Sequence, residues 1–339
     1  MNALKKSISL KSYNTFGVDV IAKNFSIACN ENDIFEFIDI HSKNNPLILG
    51  GGSNILFKRN VERPILKINI KGINIIDEKI NHVFVSVGAG ENWNDFVEWS
   101  LKNDFGGVEN LTLIPGNVGS APIQNIGAYG VELDSVFESC NAISIKENKL
   151  KKFKKKDCKF SYRSSIFKSN LKDKYVITNV TFKLSKKNHS INAEYKPLKS
   201  LINKRNIRKP TIQIISDLVK EIRTKKLPDP KIIGNSGSFF KNPIMNKLNF
   251  EKIYSKNNSV PFYKISKNEY KIPAAWLIEK CNMKGFKSGQ VATHKDHALV
   301  IINLGEATGL EIFNFSKSIK NIVLKKFNIL LEEEVNIID

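Results

Sequence analysis

The chain has 339 residues, of which 41% are hydrophobic and 25% charged, and its 53 Lys and Arg against 33 Asp and Glu give a net charge of +20. This balance excludes a disordered or fibrous chain, and the length favours two or three domains. No apolar run approaches the roughly 20 residues of a membrane span, and residues 1–17 lack the apolar core of a signal peptide. We therefore expect a cytoplasmic protein with no membrane partner.

The first half of the chain contains five segments with a clear pattern. Apolar residues recur every three or four positions in residues 31–43 and 92–104, which predicts two helices. Residues 46–57 predict a strand, a glycine turn and a second apolar segment. Valine-rich residues 82–90 and the alternating residues 175–184 predict two further strands.

The second half is richer in predicted helix. Residues 211–230 predict an amphipathic helix stopped by prolines at its end, and residues 307–328 predict a long closing helix. Residues 272–285 predict a helix with Pro273 in its first turn and Gly285 as its C-terminal cap.

Residues 298–305 predict a buried strand in the same half. Helices and strands mix without a regular βαβ alternation, which indicates an α+β protein. We place the main boundary between the halves near residues 200–212.

The type and distribution of the positively charged residues argue against nucleic-acid binding. Arginine occurs only at positions 59, 63, 163, 205, 208 and 223, so nearly all the positive charge is scattered lysine. The densest cluster, residues 149–159, has one aromatic residue and no nucleic-acid-binding motif. We interpret the charge as solvated surface that also attracts anionic substrates, and we expect no nucleic-acid partner.

The four cysteines, at positions 29, 140, 158 and 281, include no Cys-x-x-Cys pair. This spacing predicts neither a disulfide framework nor a metal site. We expect reduced cysteines that mostly lie in the interior.

Two glycine-rich turns follow apolar strands, at residues 50–54 (GGGSN) and 115–130 (PGNVGSAPIQNIGAYG). Neither a Rossmann G-x-G-x-x-G nor a P-loop motif accompanies them. Glycine lets the backbone approach a ligand closely, and successive amides can then hold a pyrophosphate without a charged side chain. Ser53, Asn54, Ser120, Gln124 and Asn125 could hydrogen-bond the sugar and ring edges of such a ligand. Glycine-rich surface loops remain the alternative interpretation of both turns.

Residues 107–133 (GVENLTLIPGNVGSAPIQNIGAYGVEL) resemble the flavin-binding motif of the UDP-N-acetylenolpyruvoylglucosamine reductases, also called UDP-N-acetylmuramate dehydrogenases. Further motifs of that family follow in order over almost the whole chain: NTFGVD (14–19), LILGGGSNILF (47–57), DCKFSYRSSIFK (157–168), KLPDPKIIGNSGSFFKNP (226–243), AAWLIEKC (274–281) and LLEEEV (330–335). A Tyr-bearing segment, INAEYKPL, is similar to the insertion of the longer, first subtype.

The resemblance implies an FAD-binding fold of the vanillyl-alcohol-oxidase type with a C-terminal α+β substrate-binding domain. Residues 1–70 with about 328–339 would form the first FAD-binding subdomain, and residues 71–212 the second. Residues 213–327 would bind the UDP-sugar. We also expect a monomer that binds FAD noncovalently.

The resemblance implies a two-step hydride relay. NADPH would reduce FAD at N5, and N5 would then deliver hydride to C3 of the enolpyruvyl ether of UDP-N-acetylglucosamine. A proton added at C2 would give UDP-N-acetylmuramate, a peptidoglycan precursor. The flavin carries the electronic step, while the protein orients the substrate and stabilises the enolate.

Three residues match the catalytic positions of the family. Ser238 would donate the proton to C2, Arg163 would polarise the substrate carboxylate, and Glu334 would assist enolate formation as a general acid or polarising group. Without the motif context, none of the three would be assigned to catalysis. Ser238 would be interpreted as a turn residue, Arg163 as a surface cation and Glu334 as one of a run of exposed glutamates.

The same matching assigns the binding residues. The cofactor-binding set is Gly50, Gly51, Gly52, Ser53, Asn54, Pro115, Gly116, Gly119, Ser120, Gln124, Asn125, Gly127, Ala128, Tyr129, Gly130 and Arg163. The substrate-binding set is Tyr195, Lys226, Asn242, Tyr263, Lys271 and His297. Tyr195 and Tyr263 would act as movable clamps, and His297 stands where an amide side chain is usual in the family.

Two alternatives remain at this stage. One is a related flavin-dependent oxidase of another alcohol or sugar. Such oxidases often tether FAD through His or Cys, and neither residue type occurs in the two glycine-rich turns. The other is a basic nucleic-acid-binding protein, whose affinity would fall steeply with salt.

Overall fold

The computed structural model describes residues 4–339, in which helices and strands are mixed throughout the chain. The chain divides into two compact units. The first unit takes in the residues up to Ile8, Ala22–Gly52 and Glu62–Lys225. The second unit takes in Ser9–Ile21, Ser53–Val61 and Lys226–Asp339. Within the described residues, no helix combines the length and apolar character needed to cross a bilayer.

The α-helices are α1 (Glu31–His41), α2 (Trp93–Lys102), α3 (Lys155–Cys158), α4 (Lys196–Lys204), α5 (Ile212–Lys226), α6 (Lys247–Tyr254), α7 (Ala274–Lys280) and α8 (Gly309–Phe327). The β-strands are β1 (Lys5–Ser9), β2 (Ile21–Ala28), β3 (Leu47–Leu49), β4 (Ile55–Phe57), β5 (Ile65–Ile68), β6 (Ile73–Glu78), β7 (His82–Gly88), β8 (Gly127–Ala128), β9 (Val131–Glu132), β10 (Phe137–Ser144), β11 (Leu150–Lys154), β12 (Tyr175–Ser185), β13 (Gly234–Ser238), β14 (Ile244–Asn246), β15 (Tyr263–Lys264), β16 (Glu269–Lys271), β17 (Lys287–Ser288), β18 (Val291–Thr293), β19 (Val300–Asn303) and β20 (Asn336–Ile338). The α+β class predicted from the sequence is confirmed.

Capping residues explain where the predicted helices begin. The Asn30 side chain accepts a hydrogen bond from the Asp33 amide at 3.0 Å and starts α1. Thr308 and Glu311 form a reciprocal capping box at the start of α8. The helices predicted around residues 31–43, 92–104, 211–230 and 307–328 are all present.

The prediction for α7 was partly wrong. The helix ends at Lys280, and Pro273 precedes the first turn rather than lying in it. Asn282, with a φ of 59°, takes the left-handed position that we assigned to Gly285. Asparagine tolerates that conformation better than most residues, so the helix ends before the glycine is reached.

Two large sheets, the two-stranded sheet β8-β9 and a large core build the first unit. One sheet has the order β1-β2-β5-β3, in which β5 lies parallel to both β2 and β3. The other has the order β11-β10-β12-β7-β6 and is antiparallel. Trp93, Phe96 and Phe182 lie at the centre of the core, where the Phe96 and Phe182 rings stack with centroids 4.6 Å apart. This core supports the loop of residues 113–130.

Three small sheets organise the second unit. They have the orders β13-β19-β18-β17, β14-β16-β15 and β20-β4. The last strand, β20, pairs in parallel with β4, so the C-terminal residues lie beside Ile55–Phe57. The three-domain boundaries drawn from the family resemblance stay a prediction.

Helices α4 and α6 and the sheet β14-β16-β15 were not predicted. Strands of two or three residues are too short to show a period of two, and α6 has only two buried residues, Phe250 and Ile253. These elements depend on tertiary contacts that a local pattern does not record.

Candidate active site

The first glycine-rich turn follows β3 in the first unit. Gly52 has a φ of 67°, which glycine adopts without a steric penalty, and it is buried. The amides of Gly51 and Gly52 donate to no acceptor among residues 4–339. Because a buried amide needs an acceptor, this turn is suited to an anion.

The second turn meets the first at Gly51. A Cβ placed on Gly51 would lie 2.6 Å from Asn117 Oδ1 and 2.8 Å from Gly116 Cα. Neither the Gly116 amide nor the Asn117 amide donates to an acceptor in the described part of the chain. Four amides without protein acceptors thus lie on two turns in contact, and such a concavity fits a diphosphate.

Several glycines serve a purpose that the sequence interpretation missed. We argued that glycine allows the backbone to approach a ligand. In the structure, a Cβ on Gly119 would lie 2.5 Å from Ala89 Cβ, and one on Gly127 would lie 2.9 Å from Arg163 Nη1. The Gly119 amide donates to the Ala89 carbonyl at 2.9 Å. These glycines therefore allow close packing of the loop against the protein itself.

Polar side chains of the second loop brace it from within. Ser120 Oγ donates to the Asn117 carbonyl at 2.7 Å. Asn125 is fully buried, and its side chain donates to Glu132 Oε2 at 2.8 Å and accepts from the Asp134 amide at 3.0 Å. Side-chain contacts of Ser120 and Asn125 with a flavin stay a prediction.

Two amide side chains tie the end of this loop to the segment that leads to Tyr195. Tyr129 has a φ of 50° and Gly130 a φ of 83°, so the chain reverses here. Asn110 Nδ2 donates to the carbonyls of Tyr129 and Asn192, both at 2.9 Å. Asn192 Nδ2 donates in turn to the Gly130 carbonyl at 3.0 Å.

Arg163 lies against the same loop. It occupies a tight turn with a φ of 52°, closed by reciprocal backbone hydrogen bonds between Ser161 and Ser164. Its Nη2 donates to the Gly127 carbonyl at 2.5 Å, and Nη1 lies 4.0 Å from Glu132 Oε1. The structure therefore brings one predicted catalytic residue to the predicted flavin loop.

Arg223 of α5 connects both ends of residues 113–130. Its Nη2 donates to the Leu113 carbonyl at 3.1 Å, and its guanidinium lies close enough to the Tyr129 hydroxyl to influence it electrostatically. Burial raises the pKa of the Tyr129 hydroxyl and lowers the pKa of Arg223, while each partner opposes the shift of the other. The edge of the Tyr195 ring packs on Tyr129, with centroids 5.3 Å apart.

Ser238 ends β13 in the second unit. It pairs with Val300 of β19 after a register shift that begins at Asn235. Gly237 has a φ of 71°, and its amide donates to Asn235 Oδ1 at 2.9 Å. Such an irregularity redirects the side chain that follows it, here Ser238.

The segment after Ser238 pairs with the segment that carries Glu334. The Glu334 amide donates to the Phe239 carbonyl at 2.8 Å, and Phe240 and Glu333 form an isolated β-bridge. Two of the three predicted catalytic residues therefore lie on adjacent, hydrogen-bonded segments of one unit. The motif order along the chain did not show this.

The three consecutive glutamates differ in their partners. Glu332 forms an ion pair with Lys241. Glu333 accepts two hydrogen bonds from Lys320, at 2.8 and 2.9 Å. Glu334 is partly buried, and its carbonyl accepts from Asn54 Nδ2 at 3.3 Å. The run is therefore not a uniformly solvated stretch, the alternative considered for it from the sequence.

Three predicted substrate residues lie around the sheet β14-β16-β15. Lys271 pairs with Tyr263 across the sheet, and its Nζ lies 5.6 Å from the centroid of that ring. Tyr263 is 50% exposed, and its role as a movable clamp stays a prediction. Asn242 precedes the sheet, and its Oδ1 accepts from the Ala274 amide at 2.9 Å.

His297 and Lys226 are electrostatic neighbours. Burial lowers the pKa of His297, Lys226 lowers it further, and Glu279 acts in the opposite direction. His297 Nδ1 is buried and has no hydrogen-bond partner in the described structure. A neutral imidazole with an unpaired nitrogen could accept or donate one hydrogen bond to a ligand. The substrate-binding roles of both residues stay predictions.

Sequence reasoning missed three residues that shape the site: Lys67, Asn110 and Arg223. Each carried a signal that was available in the sequence. Lys67 interrupts an apolar strand, Asn110 stands in an apolar stretch, and Arg223 is the only arginine in a helix with several lysines. A polar residue where the pattern calls for an apolar one often has a specific partner.

Comparisons with known proteins find relatives that match nearly the whole chain. Residues 229–338 match the family model described as the C-terminal domain of UDP-N-acetylenolpyruvoylglucosamine reductase, and residues 27–145 match an FAD binding domain. A UDP-N-acetylenolpyruvoylglucosamine reductase of Flavobacterium johnsoniae is 46% identical over 335 residues, 99% of each chain. One from Amoebophilus asiaticus is 42% identical over 337 residues, again 99% of each.

A solved structure shares the fold. The crystal structure of UDP-N-acetylenolpyruvylglucosamine reductase (MurB) from Thermus caldophilus superposes with a TM-score of 0.70 at 19% identity. The match covers 99% of this chain and 100% of that one.

Proposed function

Because this chain belongs to the UDP-N-acetylenolpyruvoylglucosamine reductase family, we propose that it reduces the enolpyruvyl ether of UDP-N-acetylglucosamine to UDP-N-acetylmuramate with NADPH. The chain is a flavoprotein oxidoreductase of peptidoglycan precursor synthesis, and FAD is its cofactor. The expected FAD-binding fold with a C-terminal α+β domain is confirmed. The subtype with the Tyr-bearing insertion stays a prediction.

The amides of Gly51, Gly52, Gly116 and Asn117 would hold the FAD diphosphate. Each of these four amides donates to no acceptor among residues 4–339, and glycine is required where the turns touch. When bound, FAD would supply the chemistry of hydride transfer between NADPH and C3 of the substrate. Arg163, whose Nη2 donates to the Gly127 carbonyl, would orient the substrate carboxylate through its planar guanidinium.

Ser238 Oγ would deliver the proton to C2 of the substrate, and Glu334 would stabilise the enolate or return the proton to the serine. A serine hydroxyl is a weak acid, so a fixed position matters more than its acidity. Lys226, Asn242, Tyr263, Lys271 and His297 would bind the UDP-sugar, and Tyr195 would close over it.

One observation carries this proposal: the hydrogen bond from the Glu334 amide to the Phe239 carbonyl at 2.8 Å. It fixes Glu334 beside the residue that follows Ser238, although the two lie far apart in sequence. A proton donor and a carboxyl group on paired backbone segments keep their spacing through a catalytic cycle. We also propose that the active form is a cytoplasmic monomer. Sedimentation of the FAD-bound protein would test whether it is a monomer.

The test is the visible spectrum of the purified protein during two successive additions. We expect a flavin spectrum that bleaches when NADPH is added and returns when the enolpyruvyl UDP-sugar follows, without oxygen. Product formation is then measured as one UDP-N-acetylmuramate per NADPH. A colourless protein that binds DNA would favour the nucleic-acid-binding alternative over this proposal. A flavin that is reduced by an alcohol or sugar instead of NADPH would favour the oxidase alternative.

Filtration after heat denaturation provides a second check. Flavin released into the filtrate is noncovalently bound, whereas flavin retained with the protein is tethered. We call the two glycine-rich turns, residues 50–54 and 115–130, the cradle. We expect complete release of the flavin, because the cradle contains no His or Cys.

A further inference from the structure

Lys67 lies beneath the first glycine-rich turn. It is the third residue of β5, directly opposite Leu49, the last residue of the parallel strand β3. Its Nζ donates to the Gly50 carbonyl at 2.7 Å and to the Ile68 carbonyl at 3.3 Å. The ammonium group therefore holds the first peptide group after β3.

The surroundings of Lys67 contain few charges. On either side in the sheet it faces Ile27 of β2 and Leu49 of β3. The charge that acts on it is Lys71, whose own Nζ donates to the Gly90 carbonyl at 2.7 Å and lies 3.5 Å from Glu91 Oε2. Burial, with a smaller contribution from Lys71, lowers the pKa of Lys67 to about 8.

A trans peptide is planar, so the Gly50 carbonyl and the Gly51 N–H point in opposite directions. By holding the carbonyl, Lys67 turns the Gly51 amide away from β5. An ammonium hydrogen-bonded to a carbonyl also polarises that peptide, which makes its N–H a stronger donor. The Gly51 amide is one of the donors without an acceptor among residues 4–339.

We propose that Lys67 is a positioning residue for the FAD diphosphate, which acts through the Gly50–Gly51 peptide and adds a positive charge behind the cradle. The inference rests on the proposed function, since it takes the two turns as the diphosphate site. It differs from the roles assigned to the motif residues, because Lys67 lies in none of them.

A pH dependence follows from this position. A diphosphate in the cradle favours the charged lysine, so binding raises the pKa of Lys67 above its value in the apoprotein. FAD affinity is then constant well below about pH 8, where Lys67 is charged in both states. It falls as the pH rises through the pKa that Lys67 has in the apoprotein, about 8, and it levels off above the pKa that Lys67 has in the complex. A lysine with a purely structural role would not produce this profile.

The experiment measures FAD binding to the apoprotein by quenching of flavin fluorescence from about pH 6.5 to about pH 9.5. For the wild type we expect the Kd to rise about three- to tenfold across this range. Lys67→Met keeps an unbranched side chain of nearly the same length and removes its charge. It should bind FAD about three- to tenfold more weakly near pH 7 and show no pH dependence, so that its Kd meets the wild-type value at high pH. Lys67→Arg, which stays charged, should bind tightly at every pH.

A second variant changes the charge that acts on Lys67 and leaves Lys67 in place. Lys71→Met removes the neighbouring like charge, so the fall in affinity should begin at a higher pH than in the wild type. The contact of Lys71 with the Gly90 carbonyl is lost at every pH and cannot move the midpoint. Circular dichroism of each variant establishes that it is folded.

The outcomes separate the two proposals. A wild type that binds FAD with the same Kd at every pH, or a Lys67→Met variant that keeps the wild-type profile, would overturn the role of Lys67 and leave the function intact. An apoprotein that binds no FAD at any pH would overturn the proposed function as well.

Discussion

The cradle, which is proposed to hold FAD in the first unit, and the Ser238 segment of the second unit are built in opposite ways. The cradle presents backbone amides from two turns, and its side chains mostly brace the loop. The Ser238 segment presents side chains, and its backbone is occupied by strand pairing with β19 and with residues 332–334. Binding of a cofactor needs many modest contacts at fixed positions, whereas proton transfer needs one group at one position.

Substitutions in the two regions are therefore expected to affect different properties, cofactor binding in one and the reaction in the other. In the cradle, a substitution is expected to weaken FAD binding if the added Cβ would push the two turns apart, whatever the chemistry of the new side chain. In the Ser238 segment, removing one hydroxyl can stop the reaction while the fold is unchanged. The following predictions test this contrast, beginning with the largest expected effect.

Ser238→Ala should slow the reoxidation of the flavin by the enolpyruvyl substrate by about 10²–10⁴-fold, because the proposed proton donor to C2 is lost. Reduction by NADPH should stay fast. Stopped-flow absorbance of the two half-reactions measures both rates.

Ser236→Ala is the matched control on the same strand. Ser236 is 8% exposed, and its Oγ has no hydrogen-bond partner in the described structure. Its loss should leave both half-reactions unchanged. If both serine variants react at the wild-type rate, Ser238 is not the proton donor.

Gly51→Ala should weaken FAD binding by about 10²-fold or more, since its Cβ would lie within 3 Å of Gly116 Cα and Asn117 Oδ1. Gly50→Ala is the neighbouring control. A Cβ on Gly50 would lie 3.5 Å from Ser120 Cβ, which is ordinary contact, so its affinity should change little. FAD titration of the two apoproteins decides the matter, and equal affinities would contradict the packing argument.

Arg223→Lys should weaken FAD binding by about tenfold, because one ammonium cannot reproduce the geometry of a guanidinium that binds the Leu113 carbonyl and lies close to the Tyr129 hydroxyl. Arg205→Lys is the control, since Arg205 pairs with Glu221 at the surface. That exchange should leave the affinity unchanged. The same FAD titration applies, and a loss as large in the control would show a general effect of arginine exchange.

Glu109→Gln tests a charge buried behind the loop. Glu109 is 3% exposed and accepts a hydrogen bond from the Gly107 amide at 2.6 Å, and burial raises its pKa. A raised folded pKa means that its contribution to stability is complete below the unfolded pKa of about 4.3 and is lost as the pH rises through the folded value. At neutral pH the variant should therefore be the more stable protein, by about 1 kcal/mol.

Urea unfolding at about pH 4 and about pH 7 measures this difference. Glu138→Gln, at an exposed position of β10, is the control for the exchange of a glutamate for glutamine at the surface. A Glu109→Gln variant whose stability relative to the wild type is independent of pH would contradict a buried, ionising carboxyl at this position.

Much of the fold was accessible from local patterns. The helices near residues 31–43 and 307–328 have capping residues and apolar faces in register, so propensity and tertiary structure agree. The pattern failed at α7, where Asn282 rather than Gly285 supplies the left-handed residue. It also failed for the short strands β14, β15 and β16, which have too few residues for a period to show.

The sequence by itself determined the chemistry that is available: two uncharged glycine turns, a serine after a flexible glycine, an arginine in a polar turn and a run of glutamates. These are properties of residue types and of their immediate neighbours. Only the tertiary structure decided which of them act together. The pairing of Glu334 with Phe239, the bridge from Arg223 to both ends of the loop and the contact of Lys67 with Gly50 join residues between 17 and 110 positions apart. Such contacts depend on sheet register and packing, which involve the whole chain at once and leave no periodic trace in the sequence.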